Sequence, residues 1–169
     1  MTKKDQGIFL RFQPIGIVHA PFKKKEDIDS QKYAESDGFD PVQGELEIFK
    51  EFEAGLKDTE GFSHLIVLFA FHESEGYRLH TKPLLDNSLR GVFSTRSPHR
   101  PNPLGMTVVK VIKREKNIIK VAGIDMIEGT PILDIKPYTS RDQKSPIKLG
   151  WLESRMKKNN EIKDKKNSR

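Results

Sequence analysis

The sequence predicts an all-β fold with long loops, short helices and a basic C-terminal tail. Several short segments rich in β-branched and aromatic residues are separated by turns that contain glycine, proline or asparagine. Helical periodicity is scarce, and strands do not alternate with helices as they do in parallel α/β sheets. Together these observations favour a sandwich or barrel of short strands.

The N-terminal part of the chain predicts two strands joined by a long loop. Residues 9–18 are rich in β-formers but contain Pro14, so we expect an edge strand or a bulge there. Residues 22–43 show no sustained periodicity, which indicates a long surface loop of the kind that often carries function. Residues 45–49 alternate like a half-buried strand, and residues 51–56 can form one or two helical turns.

The clearest strand pattern covers residues 64–72, which are nearly all apolar. Such a run is typical of a strand covered on both faces, so we place it at the centre of the sheet. Residues 73–90 form a polar excursion. Strand patterns then return at residues 106–113 and 118–125, with a turn at 115–117 that predicts a hairpin. Residues 132–135 supply a last strand, which Pro137 and Tyr138 close.

Length and composition fit one domain at residues 9–152, between an N-terminal extension (1–8) and a basic tail (153–169). The chain has no cysteine, which excludes disulfides, zinc–thiolate sites and cysteine nucleophiles. No apolar run approaches the roughly 20 residues that span a bilayer, so we expect a soluble, cytoplasmic protein without a membrane partner. The five histidines are too scattered for metal-ligand spacing, and we predict no metal.

The net charge of +6 and the pI of about 9.4 favour polyanionic partners such as nucleic acid. Much of the excess lies in the C-terminal tail, which can be either a solvated tail or a binding arm. Further basic candidates for phosphate contact are Lys23, Lys24, Lys25, Arg90 and Arg100.

The segment from Thr95 to Gly105 has the most unusual composition in the chain. Its three prolines restrict the backbone, so Arg96, Arg100 and Asn102 would be presented with little entropy left to lose. Arginine offers a planar fork to phosphate or carboxylate, and asparagine can pair with an edge of adenine. Composition alone leaves two interpretations open: a binding loop, or a rigid strand connection with solvated arginines.

A resemblance to a known family decides between them. Residues 91–105, GVFSTRSPHRPNPLG, resemble the signature of the TrmO family, the TsaA-like tRNA N6-adenosine methyltransferases. Three further blocks agree in order and spacing: residues 14–18 with 21–22, residues 61–65 with 71–72, and Asp125 through 134–138. The resemblance covers nearly everything from Phe12 to Trp151.

This resemblance implies a small β-barrel methyltransferase that works as a homodimer and holds S-adenosylmethionine near the subunit interface. The implied partner is the tRNA anticodon loop, whose unpaired bases can be splayed out and stacked. The implied substrate is adenosine 37 carrying a threonylcarbamoyl group on N6, and the methyl group is added to that same nitrogen.

The resemblance also implies site residues. The cofactor-binding set follows: Arg96, the turn of Asp125, Met126, Ile127, Glu128, Gly129 and Thr130, the pair His72 and Glu73, and Gln31 with Lys32 and Tyr33. The candidates for accepting the N6 proton are His72, Asp134 and Tyr138, while Arg100 and Asn102 would position the base. Each candidate proton acceptor also has an ordinary structural interpretation as a strand-end or turn residue.

Two other functions are compatible with the sequence. One is a noncatalytic sensor that binds S-adenosylmethionine or a nucleotide. The other is an RNA-binding barrel that uses no cofactor, in which the basic loop contacts phosphates only.

Overall fold

The computed structural model describes residues 10–28, 42–83 and 88–153. Eight β-strands lie within these ranges: β1 (Gly16–His19), β2 (Gln43–Ile48), β3 (His64–Ala70), β4 (His80–Thr81), β5 (Arg90–Gly91), β6 (Leu104–Glu115), β7 (Ile118–Ala122) and β8 (Pro131–Pro137). The same ranges contain 3-10 helices at Lys25–Asp27, Lys50–Leu56, Thr59–Gly61, Val92–Ser94 and Ser140–Asp142. The all-β prediction is confirmed.

Six of the strands form one antiparallel sheet in the order β1-β2-β7-β6-β3-β8. β8 pairs with β3 on one side and with β1 on the other, so the sheet closes on itself. β4 and β5 form a separate two-stranded ribbon. Closure removes the unpaired strand edges that would otherwise invite association with other chains.

The core lies inside the closed sheet. Leu65, Val67 and Phe69 of β3 are buried, whereas Ile66 and Leu68 between them are only half-buried. The prediction that this strand is covered on both faces is therefore wrong. A closed sheet has a single interior, so an apolar strand still buries only every second side chain.

Strand ends follow local chemistry. β1 is confined to Gly16–His19, whereas the prediction started it at residue 9, ahead of Pro14. β7 ends at Ala122 because Gly123 takes a positive φ of 90°. The predicted hairpin is confirmed: β6 and β7 are joined by Lys116 and Asn117, with Lys116 at φ 55°.

The chain divides into two compact units. Unit 1 comprises the chain up to Glu73 and Leu104–Tyr138, and it contains the closed sheet. Unit 2 comprises Ser74–Pro103 and the chain from Thr139 onward. The predicted N-terminal extension, and the tail after Glu153, lie outside the described residues. In the part of the chain that is described, no helix is long and apolar enough to cross a membrane.

Candidate functional site

One end of the closed sheet gathers several predicted site segments. β3 ends at Ala70, which pairs with Leu104 at the start of β6. β8, antiparallel to β3, begins beside this same end, and residues 125–130 form the turn that leads into it. His72 and Glu73 follow β3 directly and are exposed. The register therefore brings the 125–130 turn and the His72–Glu73 segment to one end of unit 1.

The backbone of the 125–130 turn is fixed by its own amides. The amide of Glu128 donates to the Phe22 carbonyl at 2.7 Å, and the amide of Gly129 donates to the Val18 carbonyl at 2.8 Å. The Thr130 hydroxyl and amide both donate to the Ile127 carbonyl, at 2.8 and 3.3 Å. The turn therefore offers a ligand mainly acceptors, which suit donors such as hydroxyl, amino and ammonium groups.

Not every side chain of this turn is accessible. Met126 is 2% exposed and packs in the hydrophobic core, so only its main chain can contact a ligand. Thr130 is likewise buried, at 3%. Asp125 and Glu128 are partly buried, with Oδ1 of Asp125 fully buried, and their carboxylates give this part of the turn its negative charge.

Glu128 is held by His19, a residue that the sequence prediction did not include. The His19 imidazole lies with Nδ1 2.9 Å from Oε1 of Glu128 and with Nε2 2.7 Å from Oε2 of Glu47. The other Glu128 oxygen accepts the Ala20 amide at 2.7 Å. This arrangement ties β1, β2 and the 125–130 turn together.

The electrostatics of this cluster favour a charged histidine. Hydrogen bonds to Glu47 and then to Glu128 raise the pKa of His19 above its ordinary value of 6.5. The hydrogen bond from His19, followed by that from the Ala20 amide, lowers the pKa of Glu128 below 4.5. An imidazolium that donates from both ring nitrogens to two carboxylates is consistent with both shifts. Glu128 therefore braces the turn, and its direct contact with a cofactor stays a prediction.

In unit 2, the proline-rich loop is fixed by short-range hydrogen bonds. The Thr95 hydroxyl donates to the Val92 carbonyl at 2.9 Å, and Nη1 of Arg100 donates to the Thr95 carbonyl at 3.4 Å. The Ser74 hydroxyl donates to the Pro98 carbonyl at 3.1 Å. The Arg78 amide donates to the carbonyl of His99 at 3.2 Å. The backbone thus has the fixed shape that its prolines predict.

This loop presents two of its three predicted polar side chains to solvent. Arg96 and Asn102 are exposed, whereas Arg100 is half-buried and engaged with the Thr95 carbonyl. Arg96 and Asn102 are therefore available to a ligand, and Arg100 also supports the shape of the loop.

The C-terminal part of unit 2 contacts the chain at the start of the same loop. The sequence prediction did not include this contact. Nε1 of Trp151 donates to the Ser94 carbonyl at 2.9 Å, and the Arg90 guanidinium lies 5.3 Å from the centre of the Trp151 ring. Both contacts join residues far apart in sequence. The one sequence signal for these contacts is that the chain's single tryptophan lies at the end of the region that resembles the TrmO family.

The three candidate proton acceptors do not lie at one place. The Tyr138 amide donates to the His64 carbonyl at 3.1 Å, and the two rings pack edge to face with centroids 6.2 Å apart. His64 begins β3 and His72 follows its other end, so about 20 Å of strand separates Tyr138 from His72. Within one chain these two side chains therefore lie at opposite ends of β3.

Asp134 lies nearer to the His72 end but is already engaged. It pairs with Leu68 where the register between β3 and β8 shifts. Its Oδ1 accepts the Ile135 amide at 2.9 Å, and Oδ2 forms an ion pair with Lys136. Asp134 thus supports the irregular strand, which leaves His72 as the most accessible of the three candidates.

Charge is distributed unevenly between the two units. The described residues of unit 2 contain eight Lys and Arg against three Asp and Glu. Those of unit 1 contain twelve against thirteen. The excess positive charge of the described chain therefore belongs to the unit that carries the proline-rich loop. Lys23, Lys24 and Lys25 are exposed in unit 1.

Gln31, Lys32 and Tyr33 lie outside the described residues. Among the residues that are described, no group of three or more His, Asp or Glu side chains is arranged to hold a metal ion.

Comparison with known proteins agrees with the resemblance. The sequence model of the tRNA-methyltransferase O N-terminal domain matches residues 17–143, about three quarters of the chain. The chain belongs to the TrmO family. The matched range includes the proline-rich loop, the 125–130 turn and the His19 cluster.

Relatives in this family come from all three domains of life. A Pyrococcus abyssi protein named a probable S-adenosyl-L-methionine-binding protein is 40% identical over 93% of this chain and 84% of its own length. A rat protein named tRNA (adenine(37)-N6)-methyltransferase is 41% identical over 81% of this chain and 32% of its own length. The Escherichia coli protein of that name is 36% identical over 76% and 57%, respectively.

Solved TrmO structures share the fold. A crystal structure of TrmO from Pseudomonas aeruginosa superposes with a TM-score of 0.70 at 31% identity, covering 88% of this chain and 64% of that chain. A second TrmO structure gives a TM-score of 0.69 at 34% identity. The chain therefore spans slightly less than two thirds of these solved proteins and about a third of the rat relative.

Proposed function

We propose that this protein transfers a methyl group from S-adenosylmethionine to N6 of adenosine 37 in the tRNA anticodon loop, where N6 already carries a threonylcarbamoyl group, and that it does so in the cytoplasm. The observation that carries the proposal is the fixed loop of a TrmO-family chain, which leaves Arg96 and Asn102 exposed. Rat and Escherichia coli relatives named tRNA (adenine(37)-N6)-methyltransferase support it.

The residues present fit the cofactor. S-adenosylmethionine combines donor groups, namely its ammonium, ribose hydroxyls and adenine amino group, with one carboxylate. The acceptor-rich 125–130 turn, with the carboxylate of Asp125, suits the donors, and Glu128 supports the turn through His19. The exposed Arg96 guanidinium suits the carboxylate, because its planar fork can bind both oxygens. Keeping arginine at the carboxylate also keeps a like charge away from the sulfonium.

The reaction requires orientation and removal of one proton. When bound, S-adenosylmethionine supplies a methyl group already activated by positively charged sulfur. A nitrogen–carbon bond forms at N6 while the carbon–sulfur bond breaks, and the N6 proton must leave. We assign Asn102 to an edge of the base and His72 to the departing proton. Holding donor and acceptor in line can supply up to roughly 7–11 kcal/mol of the barrier reduction.

The decisive experiment is mass spectrometry of nucleosides from threonylcarbamoylated tRNA incubated with the protein and S-adenosylmethionine. We expect one added methyl group on the modified adenosine. Arg96→Ala should weaken cofactor binding by about 10- to 100-fold, because a hydrogen bond to a charged group is lost. Asn102→Ala should slow transfer with little change in cofactor affinity.

Arg141→Ala is the matched control, since it removes an exposed arginine from unit 2 outside the proline-rich loop. It should retain both cofactor affinity and transfer. Repeated absence of methyl transfer to competent modified tRNA would contradict the proposal.

A noncatalytic S-adenosylmethionine sensor is the second candidate, favoured by the names of the archaeal relatives from Pyrococcus abyssi and Archaeoglobus fulgidus. It predicts a calorimetric binding signal with S-adenosylmethionine and no change in tRNA mass. A cofactor-free RNA-binding protein would give no such calorimetric signal.

We also propose that the protein acts as a homodimer. The outward side chains of β6 support this, because Leu104, Met106 and Val108 form an apolar stripe that is 39–51% exposed. Met106→Glu should shift the sedimentation of the protein toward the monomer. Lys110→Glu is the control, because Lys110 lies on the same face of β6 four residues after Met106. It should leave the assembly unchanged. A protein that sediments as a monomer before substitution would contradict the dimer.

A further inference from the structure

Phe93 combines high exposure with a fixed backbone. Its side chain is 74% exposed, although its neighbour Val92 is 1% exposed in the same 3-10 helix. An apolar ring of this size is usually covered in a folded protein, because removing it from water is favourable. The position of Phe93 therefore favours a partner that covers it.

The exposure of Phe93 does not come from a loose segment. The Val92 amide donates to the Leu79 carbonyl at 2.9 Å, and the Thr95 amide donates to the Val92 carbonyl at 3.1 Å. On the other side, Nε1 of Trp151 holds the Ser94 carbonyl. The ring is thus carried by a turn that is bonded before and after it, and little ordering is left for a binding event to impose.

The charge around Phe93 identifies the class of partner. The exposed Arg96 lies three residues after Phe93, and Arg90, whose guanidinium packs on Trp151, lies three residues before it. The described residues of this unit carry eight basic against three acidic side chains. Exposed aromatic rings among cationic side chains are typical of surfaces that bind single-stranded nucleic acid, where bases stack on the rings and cations hold the backbone.

We infer that Phe93 is a stacking platform for an unpaired base of the RNA substrate, next to the nucleotide that Asn102 contacts. The inference rests on the proposed function and names a contact for the RNA chain that the proposed function does not. Stacking suits a fixed ring, because it needs a flat apolar face and no particular base edge. Phe93 would therefore contribute to RNA affinity and to the alignment of the RNA loop, while Asn102 recognises the modified adenosine.

The test measures binding of a fluorescently labelled anticodon stem-loop RNA to the full chain. Phe93→Ala should weaken binding by roughly 5- to 150-fold, the range that corresponds to ~1–3 kcal/mol per stacked base. Phe93→Trp should retain the affinity. Phe93→Leu should lose most of it, since leucine keeps the apolar volume but cannot stack.

Salt dependence separates stacking from charge. The slope of log K against log salt should be unchanged in Phe93→Ala, because no phosphate contact is removed. Arg78→Gln, an exposed cation in the same unit, should lower the slope if it contacts a phosphate. A fully paired RNA duplex of equal length should show no difference between the wild type and Phe93→Ala.

Three results would overturn the inference: unchanged stem-loop affinity in Phe93→Ala, conversion of a dimer to monomers by this substitution, or weakened S-adenosylmethionine binding in calorimetry. The second would assign Phe93 to a subunit contact and the third to the cofactor. Failure of the proposed function is distinguishable, because it appears as absent methyl transfer by the wild type while the binding comparison still reports on Phe93.

Discussion

Gly105 is a position in the sheet where one added methyl group has no room. It lies directly opposite Phe69 in the β3–β6 pair, and the Phe69 ring is folded over it. A Cβ at residue 105 would lie 2.2 Å from both Cε2 and Cζ of that ring and 2.8 Å from Cδ2. Gly105→Ala therefore forces a buried aromatic ring to move.

The magnitude follows from the room available. Ordinary contacts begin near 3.4 Å, so the ring must retreat by more than 1 Å. Phe69 is 4% exposed and packs edge to face against Phe71 at 5.1 Å, which limits that movement. Overpacking of this kind costs ~1–3 kcal/mol, and the entropy that alanine removes from the unfolded chain offsets ~0.4–1 kcal/mol of it. We expect a net loss of about 1–2 kcal/mol, or roughly 2–8 °C in Tm.

Urea unfolding of Gly105→Ala and Gly55→Ala provides the measurement. Gly55 lies in the 3-10 helix Lys50–Leu56, and a Cβ added there would have nothing within 4 Å, so its substitution should be neutral or slightly stabilising. The double variant Gly105→Ala/Phe69→Leu should be more stable than the sum of the two single losses predicts, because leucine leaves room for the added methyl group. Equal midpoints for the two alanine variants would refute the packing argument.

Three further predictions concern the clusters of the two units. His19→Gln should lower the unfolding free energy by less than about 1 kcal/mol at about pH 6 and by still less at about pH 9, measured by urea unfolding. Because the pKa of His19 is raised, its contribution to stability is fully present below pH 6.5 and is lost as the pH rises through the pKa of the folded state. Because the pKa of Glu128 is lowered, the contribution of Glu128 is lost only as the pH falls below 4.5. Trp151→Phe should speed amide hydrogen exchange in residues 94–97, because the hydrogen bond to the Ser94 carbonyl is lost while an aromatic ring remains; unchanged exchange would show that this bond does not hold the loop. Tyr138→Phe should leave the rate of methyl transfer within about twofold while His72→Gln lowers it by about 10²-fold or more, and a large loss in Tyr138→Phe would contradict the separation along β3.

The strands could be predicted from sequence because their signals are local. Alternation, β-branched residues and the turn at Lys116 and Asn117 are properties of neighbouring residues, and they located β2, β3, β6, β7 and β8 to within a few positions. Closure of the sheet depends instead on β8 pairing with β1, which no local signal specifies. The same limit explains the wrong prediction about burial: an apolar run does not reveal whether its second face meets another layer.

The same distinction between local signals and long-range contacts applies to the candidate site. The rigidity of the proline-rich loop follows from proline itself, and the resemblance supplied the 125–130 turn. The clamp of His19 on Glu128 joins residues 109 positions apart, and the Trp151 contact joins residues 57 apart, so neither has a sequence signature. Tyr138 shows the opposite case. It is only four residues from Asp134 in sequence, yet it lies beside His64 at the start of β3, away from the end where His72 follows.

The place where unit 2 leaves and rejoins the sheet bears on how the protein folds and diversifies. β3 and β6 pair side by side, yet residues 71–103 separate them in the chain, and Ser74 to Pro103 of this stretch belong to unit 2. Forming this pair means closing a long loop, whereas the β6–β7 hairpin closes over two residues and should form earlier. Loop-closure entropy grows only with the logarithm of length, so doubling such an insertion costs just ~0.6 kcal/mol. The sheet can therefore tolerate large changes in the length of the segment that carries Phe93 and Arg96, and RNA recognition can change while the fold is kept.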